Sequence, residues 1–279
     1  MARQSKADVQ RHYARLNRLF WMGLLGIVLG PIGMLVISGI AYKAAGSSVS
    51  APIALCSPFA AVASIAVALL VRSSRRIARR SLEIARFAES SGYEYIWKPE
   101  TDNSQAIQEL SLWENPTSIA VTNLICAQQD GVDIRIADVR SEHFYGAATA
   151  WNEQTVVLFP DAVIDGFDLR VMPKGRADKL LGKLVNYGAD QRFNKLPLAA
   201  NFHIGSSGSI DTATLFNVLS QLTSVFQKNP QLCLAVENGH IILFREMQLL
   251  KPAELRPMLA TSWTVFQGLS RIGELSQDE

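Results

Sequence analysis

The chain has 279 residues, of which 48% are hydrophobic, and a formal net charge of +2. That small value hides an asymmetry, because residues 1–80 carry eleven Lys and Arg against one acid, a net +10, and the remainder carries sixteen against twenty-four, a net −8. The acidic part disfavours nucleic acid as a partner, since phosphate binding needs clustered basic side chains. Three Cys without a C-x-x-C pair indicate free thiols in a reducing compartment.

Two apolar stretches dominate the N-terminal part, at residues 20–42 and 51–71. Each is close to the ~20 residues that a helix needs to cross a bilayer. The pattern predicts a transmembrane helical hairpin. The first stretch follows a basic start, as a signal peptide does, but it is too long for a signal core and no clear small-x-small cleavage site follows it.

The charges around the hairpin predict its orientation. A basic segment at residues 1–19 precedes it, and the connecting loop holds only Lys43. By the positive-inside rule both termini are cytoplasmic, which predicts a two-span integral protein of the bacterial inner membrane. The basic residues after the second span would also bind anionic lipid headgroups, at about 1 kcal/mol per side chain, although orientation alone explains them. They are Arg72, Arg75, Arg76, Arg79 and Arg80.

Small residues form a stripe along each predicted span, and such stripes let helix backbones approach closely in lipid. The two stripes either pack against each other within the hairpin or form a seam between two copies, which would make a homo-oligomer. The residues are Gly23, Gly26, Gly30 and Gly33 in the first span and Ala60, Ser64 and Ala68 in the second.

The rest of the chain predicts a juxtamembrane helix at residues 72–92 and a cytoplasmic α+β domain at residues 93–275, with a mainly antiparallel sheet and packed helices. Strands are expected at residues 93–97, 118–127, 132–139, 154–159, 167–171, 199–204, 232–236 and 241–244. Helices are expected at residues 106–113, 176–186 and 211–228 and from residue 255 onward, with Pro257 in the first turn of the last one.

Asn238-Gly239 is a strong two-residue hairpin signal, and a hairpin is also expected across residues 128–131, where Asp130-Gly131 occupies the matching place. Around them, the order strand, helix, strand, tight turn, strand occurs twice, at residues 93–139 and 199–244. An internal βαββ duplication explains this order, and so does chance in an α+β domain.

No residue set identifies a reaction. The loop at residues 205–209 has no following Lys and does not match G-x-S-x-G, which favours a plain turn over a phosphate site. His143 beside Glu142, with Tyr145 near, is a conceivable acid–base pair at a strand end, where polar residues are expected anyway. His and Cys spacings match no metal motif. The sequence therefore predicts no catalytic residue, cofactor or metal.

The arrangement resembles uncharacterised bacterial membrane proteins with two N-terminal spans and a cytoplasmic α+β domain. The likeness is carried by the segments at residues 167–173, 192–194, 202–204 and 236–240. It implies no known activity and no site residues.

Three functions remain open. The favoured one is a membrane-anchored, non-enzymatic interaction or sensing domain that recruits an unknown protein partner at the bilayer. The alternatives are a membrane-tethered, hydrolase-like enzyme and a structural subunit of a larger membrane complex. An enzyme predicts a deep pocket, an adaptor predicts an exposed apolar patch or an open sheet edge, and a subunit predicts its exposed apolar surface on the hairpin.

Overall fold

The computed structural model describes residues 2–45, 47–110, 112, 116–145, 148–160, 162, 167–174, 191–208 and 212–275. The chain divides into two compact units, residues 1–86 and 87–279.

The first unit consists of two long helices, α1 (Ala2–Ala45) and α2 (Ser47–Ser90). The expected loop between the two apolar stretches is therefore mostly helical, and the expected juxtamembrane helix is the C-terminal part of α2. The two helices touch where the Arg75 guanidinium lies 5.0 Å from the centre of the Phe20 ring and 6.0 Å from that of Tyr13. Of the helices in the described ranges, none combines the length and apolar character needed to cross a bilayer.

The second unit is an α+β domain built on one eight-stranded antiparallel sheet, as predicted. The spatial order is β1-β2-β3-β4-β8-β7-β5-β6. In chain order the strands are β1 (Glu94–Ile96), β2 (Ser118–Gln129), β3 (Val132–Tyr145), β4 (Ala148–Phe159), β5 (Phe167–Pro173), β6 (Phe202–Gly208), β7 (Leu232–Glu237) and β8 (His240–Arg245).

Both predicted tight turns are present. Asp130 and Gly131 have φ of 51° and 82°, and Asn238 and Gly239 have φ of 51° and 75°. Two successive positive φ values match the type I′ geometry that Asn-Gly and Asp-Gly favour, because its twist fits the flanking strands. The turns join β2 to β3 and β7 to β8. Every residue of β7 is buried, and the strand lies between β8 and β5 in the interior of the sheet.

The described part of this unit also contains three α-helices: α3 (Thr101–Gln108), α4 (Thr212–Lys228) and α5 (Pro252–Leu275). One sheet face packs against α3, where Ile107 and Leu110 join apolar side chains of β2, β3, β4, β7 and β8. Packing on the other face includes Phe159 of β4, whose ring stacks on Phe266 of α5 at 4.7 Å. α4 and α5 approach closely, since a Cβ on Gly268 would lie 2.8 Å from Leu222 Cδ2.

Several predicted boundaries are wrong. Residues 205–208, expected as a turn, continue β6 and pair with β5 from Phe167 to Arg170. The expected helix at 106–113 lies earlier, at α3. Pro257 is the sixth residue of α5 and so does not lie in its first turn. Near the start of β6 the chain forms two short 3-10 turns, Gln191–Phe193 and Pro197–Ala200. The helix expected at 176–186 lies outside the described residues.

Both blocks of the predicted duplication contain the expected element order, β1-α3-β2-β3 and β6-α4-β7-β8. Their pairing differs, because β1 pairs directly with β2 whereas β5 lies between β6 and β7. The duplication itself remains a prediction.

Candidate functional site

The β3–β4 hairpin is longer than the strands on either side of it. β2 pairs with β3 only as far as Ser118 opposite Glu142. β8 pairs with β4 only from Val156 to Phe159. The hairpin itself stays paired out to Tyr145 opposite Ala148. Among the described strands, residues 143–145 of β3 and 148–150 of β4 therefore pair only with each other, whereas residues 140–142 also pair with β2. We call residues 140–145 and 148–153 of this hairpin the ribbon.

One face of this ribbon carries two exposed aromatic side chains. Alternation along each strand places six side chains on the same side of the sheet. Phe144 is 64% exposed and Trp151 is 47% exposed. We call this surface the ribbon face, and it consists of Arg140, Glu142, Phe144, Thr149, Trp151 and Glu153.

The Trp151 ring is held in place by charged neighbours. The Arg140 guanidinium lies 3.6 Å from the centre of the Trp151 ring, and its Nε lies 3.8 Å from Glu153 Oε1. Glu142, opposite Trp151 on β3, accepts a hydrogen bond from the Ser118 hydroxyl at 2.8 Å. A cation–π contact at an exposed site is worth about 0.5–1 kcal/mol, so Arg140 restrains the ring while one aromatic surface stays accessible.

In the described part of the chain, no strand pairs with the outer edge of β4 along the ribbon. At its inner end the Thr155 N–H donates to the Gln248 carbonyl, so Thr155 points its backbone groups away from β3. Because these directions alternate along an antiparallel strand, Thr149, Trp151 and Glu153 point their N–H and C=O groups outward in the same way. Within the described part of the chain, none of these three residues has a backbone partner on that side.

A buried polar network closes the inner end of the ribbon. The Asp138 carboxylate accepts hydrogen bonds from Thr155 Oγ1 at 2.6 Å and from Asn123 Nδ2 at 2.8 Å. The Tyr95 hydroxyl donates to Asn123 Oδ1 at 2.8 Å, and the Leu250 N–H donates to Thr155 Oγ1 at 3.0 Å. The network ties β1, β2, β3, β4 and the segment before α5 together.

Asn123 enters this network because the backbone is locally irregular. The β2–β3 register shifts between Thr122 and Ile125, and Asn123 has φ of 54°. Asn tolerates this left-handed conformation better than most residues, and such a bulge re-aims a side chain. A sequence pattern of alternating residues does not reveal it.

The acid–base pair considered at the end of β3 is not formed between Glu142 and His143. The two residues are adjacent on a strand and point to opposite faces. Glu142 contacts Ser118, whereas the His143 Nε2 lies 3.1 Å from the Ser141 hydroxyl on the other face. Ser141 is 2% exposed, so its hydroxyl is not accessible to a substrate.

The predicted packing residues of the hairpin fall mostly outside what the structure describes. The side chains at positions 23, 30, 60, 64 and 68 are not among the described ones. At Gly26 and Gly33 an added Cβ would meet no described atom within 4 Å. Neither the packing within a hairpin nor a seam between copies is tested by these two positions.

The arginines after residue 71 are largely exposed, but they are not equivalent. Arg72 and Arg76 are exposed, Arg79 Nε donates to Glu83 Oε1 at 3.0 Å, and Arg75 packs over Phe20. Arg80 is half-buried. The lipid-binding interpretation of this group remains a prediction.

In the second unit, the pKa values of Cys126 and Glu254 are shifted from their ordinary values. Burial raises the pKa of the Cys126 thiol, and the Glu94 carboxylate on the paired strand raises it further. The Lys251 N–H, which donates to Glu254, lowers the pKa of the Glu254 carboxyl, with a smaller contribution from Arg245. Neither group lies on the ribbon face. Among the described residues, no group of three or more His, Cys, Asp or Glu side chains is placed to hold a metal ion.

Comparison of the chain with protein-family models, curated proteins and solved structures gave no match. The ribbon face was not among the residues selected from sequence. Its signal is present in the alternation of Arg140, Glu142 and Phe144 and of Thr149, Trp151 and Glu153, but the same alternation suits any half-buried strand.

Proposed function

We propose that this chain is a membrane-anchored domain that recruits a protein partner through the ribbon face, without catalysing a reaction itself. The observation that carries the proposal is the exposure of Phe144 and Trp151 on one face of a ribbon whose outer backbone edge has no partner strand among the described residues. Exposed strand edges are normally shortened, covered or charged, because they template pairing with another chain.

The energetics of the ribbon face suit a binding surface. An aromatic side chain buries roughly 150–250 Å² when covered, and Trp is enriched among the residues that dominate interface energies. Arg140 already orders the Trp151 ring, so a partner would lose little side-chain entropy there. Arg140, Glu142 and Glu153 around the two aromatics supply the polar rim that such interfaces have.

The membrane half of the proposal is supported by the sequence. Residues 20–42 and 51–71 are long apolar stretches, flanked on both sides by basic residues and joined by a loop with one Lys. The Arg75 contact with Phe20 and Tyr13 is of the kind expected near a bilayer surface, where aromatic and basic side chains concentrate. Recruitment at the inner membrane follows if these stretches span it.

A site-specific photocrosslinking experiment tests the proposed surface. The photoreactive residue p-benzoylphenylalanine replaces Phe144 in the full chain, and cells are irradiated before membranes are isolated. The control carries it at Gln231, which is exposed at the start of β7. We expect a discrete protein adduct from position 144 and none from position 231.

The adduct should also depend on Trp151. Trp151→Ser should reduce its yield at least tenfold while leaving the thermal midpoint nearly unchanged, because a surface substitution usually costs within ±0.5 kcal/mol. The same adducts from both positions, or none from position 144, would refute the ribbon face as the binding surface.

A further inference from the structure

We infer that the partner of the β4 edge is a second copy of this chain, added antiparallel to β4 so that the two sheets continue across the junction. The inference rests on the proposed binding surface and names its occupant.

The chemistry of the edge limits what can bind to it. The outward N–H and C=O groups belong to Thr149, Trp151 and Glu153. An added extended strand is the partner that hydrogen-bonds to all of these groups at once. Gln248 occupies the edge at Thr155, and the strand begins at Ala148. The open stretch is therefore short and has two defined ends.

This stretch is complementary to itself. In an antiparallel pairing centred on Trp151, each Trp151 lies opposite its twin and each Thr149 lies opposite Glu153 of the other copy. All three outward residues then form hydrogen-bonded pairs. A pairing centred on Asn152 would direct Thr149 against Thr155, which already donates to Gln248. The centre at Trp151 is thus the register that uses the whole open edge.

Charge and packing favour the same register. No two like charges lie directly opposite each other, since Glu153 faces Thr149, and a directly opposed like pair would be destabilising. The two Trp151 rings form an aromatic cross-strand pair, a combination that contributes roughly 0.2–1 kcal/mol over Ala–Ala. Each Glu153 keeps its own Arg140 at 3.8 Å as a counter-charge. The edge and its charges are therefore compatible with a two-fold axis at Trp151.

Disulfide trapping tests the register. Between the hydrogen-bonded pairs, Ala150 lies opposite Asn152 of the other copy, at a Cα separation of about 4.5 Å that suits a disulfide. Ala150→Cys and Asn152→Cys variants of the full chain, carrying different tags, are expressed together and their membranes are oxidised with copper phenanthroline. We expect a mixed-tag disulfide dimer and at least tenfold less same-tag dimer. Wild type gives the background from the three native thiols, Cys56, Cys126 and Cys233.

A backbone variant tests whether the edge holds the copies together. Thr149→Pro removes one outward N–H, whereas Thr149→Val keeps it and preserves the side-chain shape. The outward N–H takes no part in the β3–β4 ladder, so thermal midpoints of both should stay close to wild type. In mild detergent we expect Thr149→Val to have the mass of a dimer by light scattering and Thr149→Pro to shift at least tenfold toward monomer.

Each other outcome is decisive. A Thr149→Pro protein that stays dimeric would overturn the edge pairing. If Gly30→Ile converts the dimer to monomer and Thr149→Pro does not, the copies associate through a seam between helices instead. Same-tag and mixed-tag disulfides in equal yield would overturn the register. Adducts from position 144 to a different protein, with no mixed-tag disulfide, would overturn the second copy as occupant while leaving the ribbon face as a recruiting surface.

Discussion

At the scale of single residues, the buried Asp138 shows how this fold uses polarity. Its two carboxylate oxygens receive one hydroxyl and one amide donor, from Thr155 and Asn123. Buried polar groups are tolerated when they are hydrogen-bonded, and satisfied networks favour one arrangement over others. In this protein the arrangement fixes the inner end of the ribbon, where the core gives way to exposed aromatic side chains.

We predict that Asp138→Asn destabilises the protein by roughly 1–3 kcal/mol. An Asn side chain at position 138 has one acceptor oxygen where Asp138 has two, so its NH₂ group must face either the Thr155 hydroxyl or the Asn123 amide. The donor that faces the NH₂ group then loses its hydrogen-bond acceptor. The control is Asp133→Asn on the same strand, which is exposed and should change stability by less than about 0.5 kcal/mol. Thermal melting of the detergent-solubilised full chain measures both. Equal midpoints for the two variants would contradict the role assigned to the network.

At the scale of secondary structure elements, the sequence predicts strands better than their ends. β7 and β8 were predicted well because their apolar runs and the Asn238-Gly239 turn agree. β3 and β4 were predicted too short, since their outer halves carry polar and aromatic residues without a buried pattern. The Gly and Ser residues at 205–208 favour a turn by local propensity, yet pairing with β5 keeps them in a strand. Tertiary pairing overrode local propensity at both places.

The same limit applies to the candidate site. Trp151 and Phe144 are large apolar residues, and a sequence pattern cannot distinguish an exposed aromatic from a core one. The bulge at Asn123 and the free edge of β4 depend on which strand lies beside which, and that order becomes visible only in the folded sheet. The sequence therefore predicts most of the strands around this surface, but neither its exposure nor its position.

The N-terminus of α5 yields a pH-dependent prediction. Lys251 donates its N–H to Glu254 Oε2 at 2.8 Å, as in the reciprocal half of a capping box, and Arg245 Nη1 lies 3.2 Å from Oε1. Because these contacts favour the ionised form, the folded pKa of Glu254 lies below its ordinary value of 4.5. Its contribution to stability is present above that value and is lost as the pH falls through the folded pKa.

We therefore expect Glu254→Ala to cost about 1 kcal/mol at pH 7 and progressively less as the pH falls below 4.5. Glu254→Gln keeps an acceptor for Lys251 but loses the charge, so its cost should be smaller and nearly independent of pH. Denaturant unfolding at several pH values measures all three proteins. A cost of Glu254→Ala that stays constant between pH 7 and pH 3 would contradict the assigned contacts.

At the scale of the whole molecule, the chain combines a strongly basic N-terminal part with an acidic sheet domain. Charge bias of this kind predicts orientation when apolar stretches cross a bilayer. The membrane proposal therefore makes a definite statement about which positions are accessible from outside the cell.

Labelling with a membrane-impermeant maleimide tests that orientation. Ser47→Cys, in the short connection between the two apolar stretches, should be labelled in intact cells, or in spheroplasts if an outer membrane blocks the reagent. Asp278→Cys should be labelled only after lysis. Wild type measures labelling of the native thiols. The reverse pattern, or labelling of both positions only after lysis, would rule out two spans with cytoplasmic termini.

The division into two units predicts that the sheet domain folds without the helices of the first unit. A fragment of residues 87–279 contains all eight strands and keeps fifteen Lys and Arg against twenty-three acids, a net −8 that favours solubility. It also keeps Phe87 against Tyr93 at 6.3 Å and the Tyr93 N–H donating to the Ala88 carbonyl. We expect a soluble protein with one cooperative thermal transition. A fragment starting at residue 93 loses both contacts and the fully buried Ala88, so it should melt at a lower temperature. If the longer fragment aggregates or melts without cooperativity, the sheet domain requires the N-terminal helices or a partner to fold.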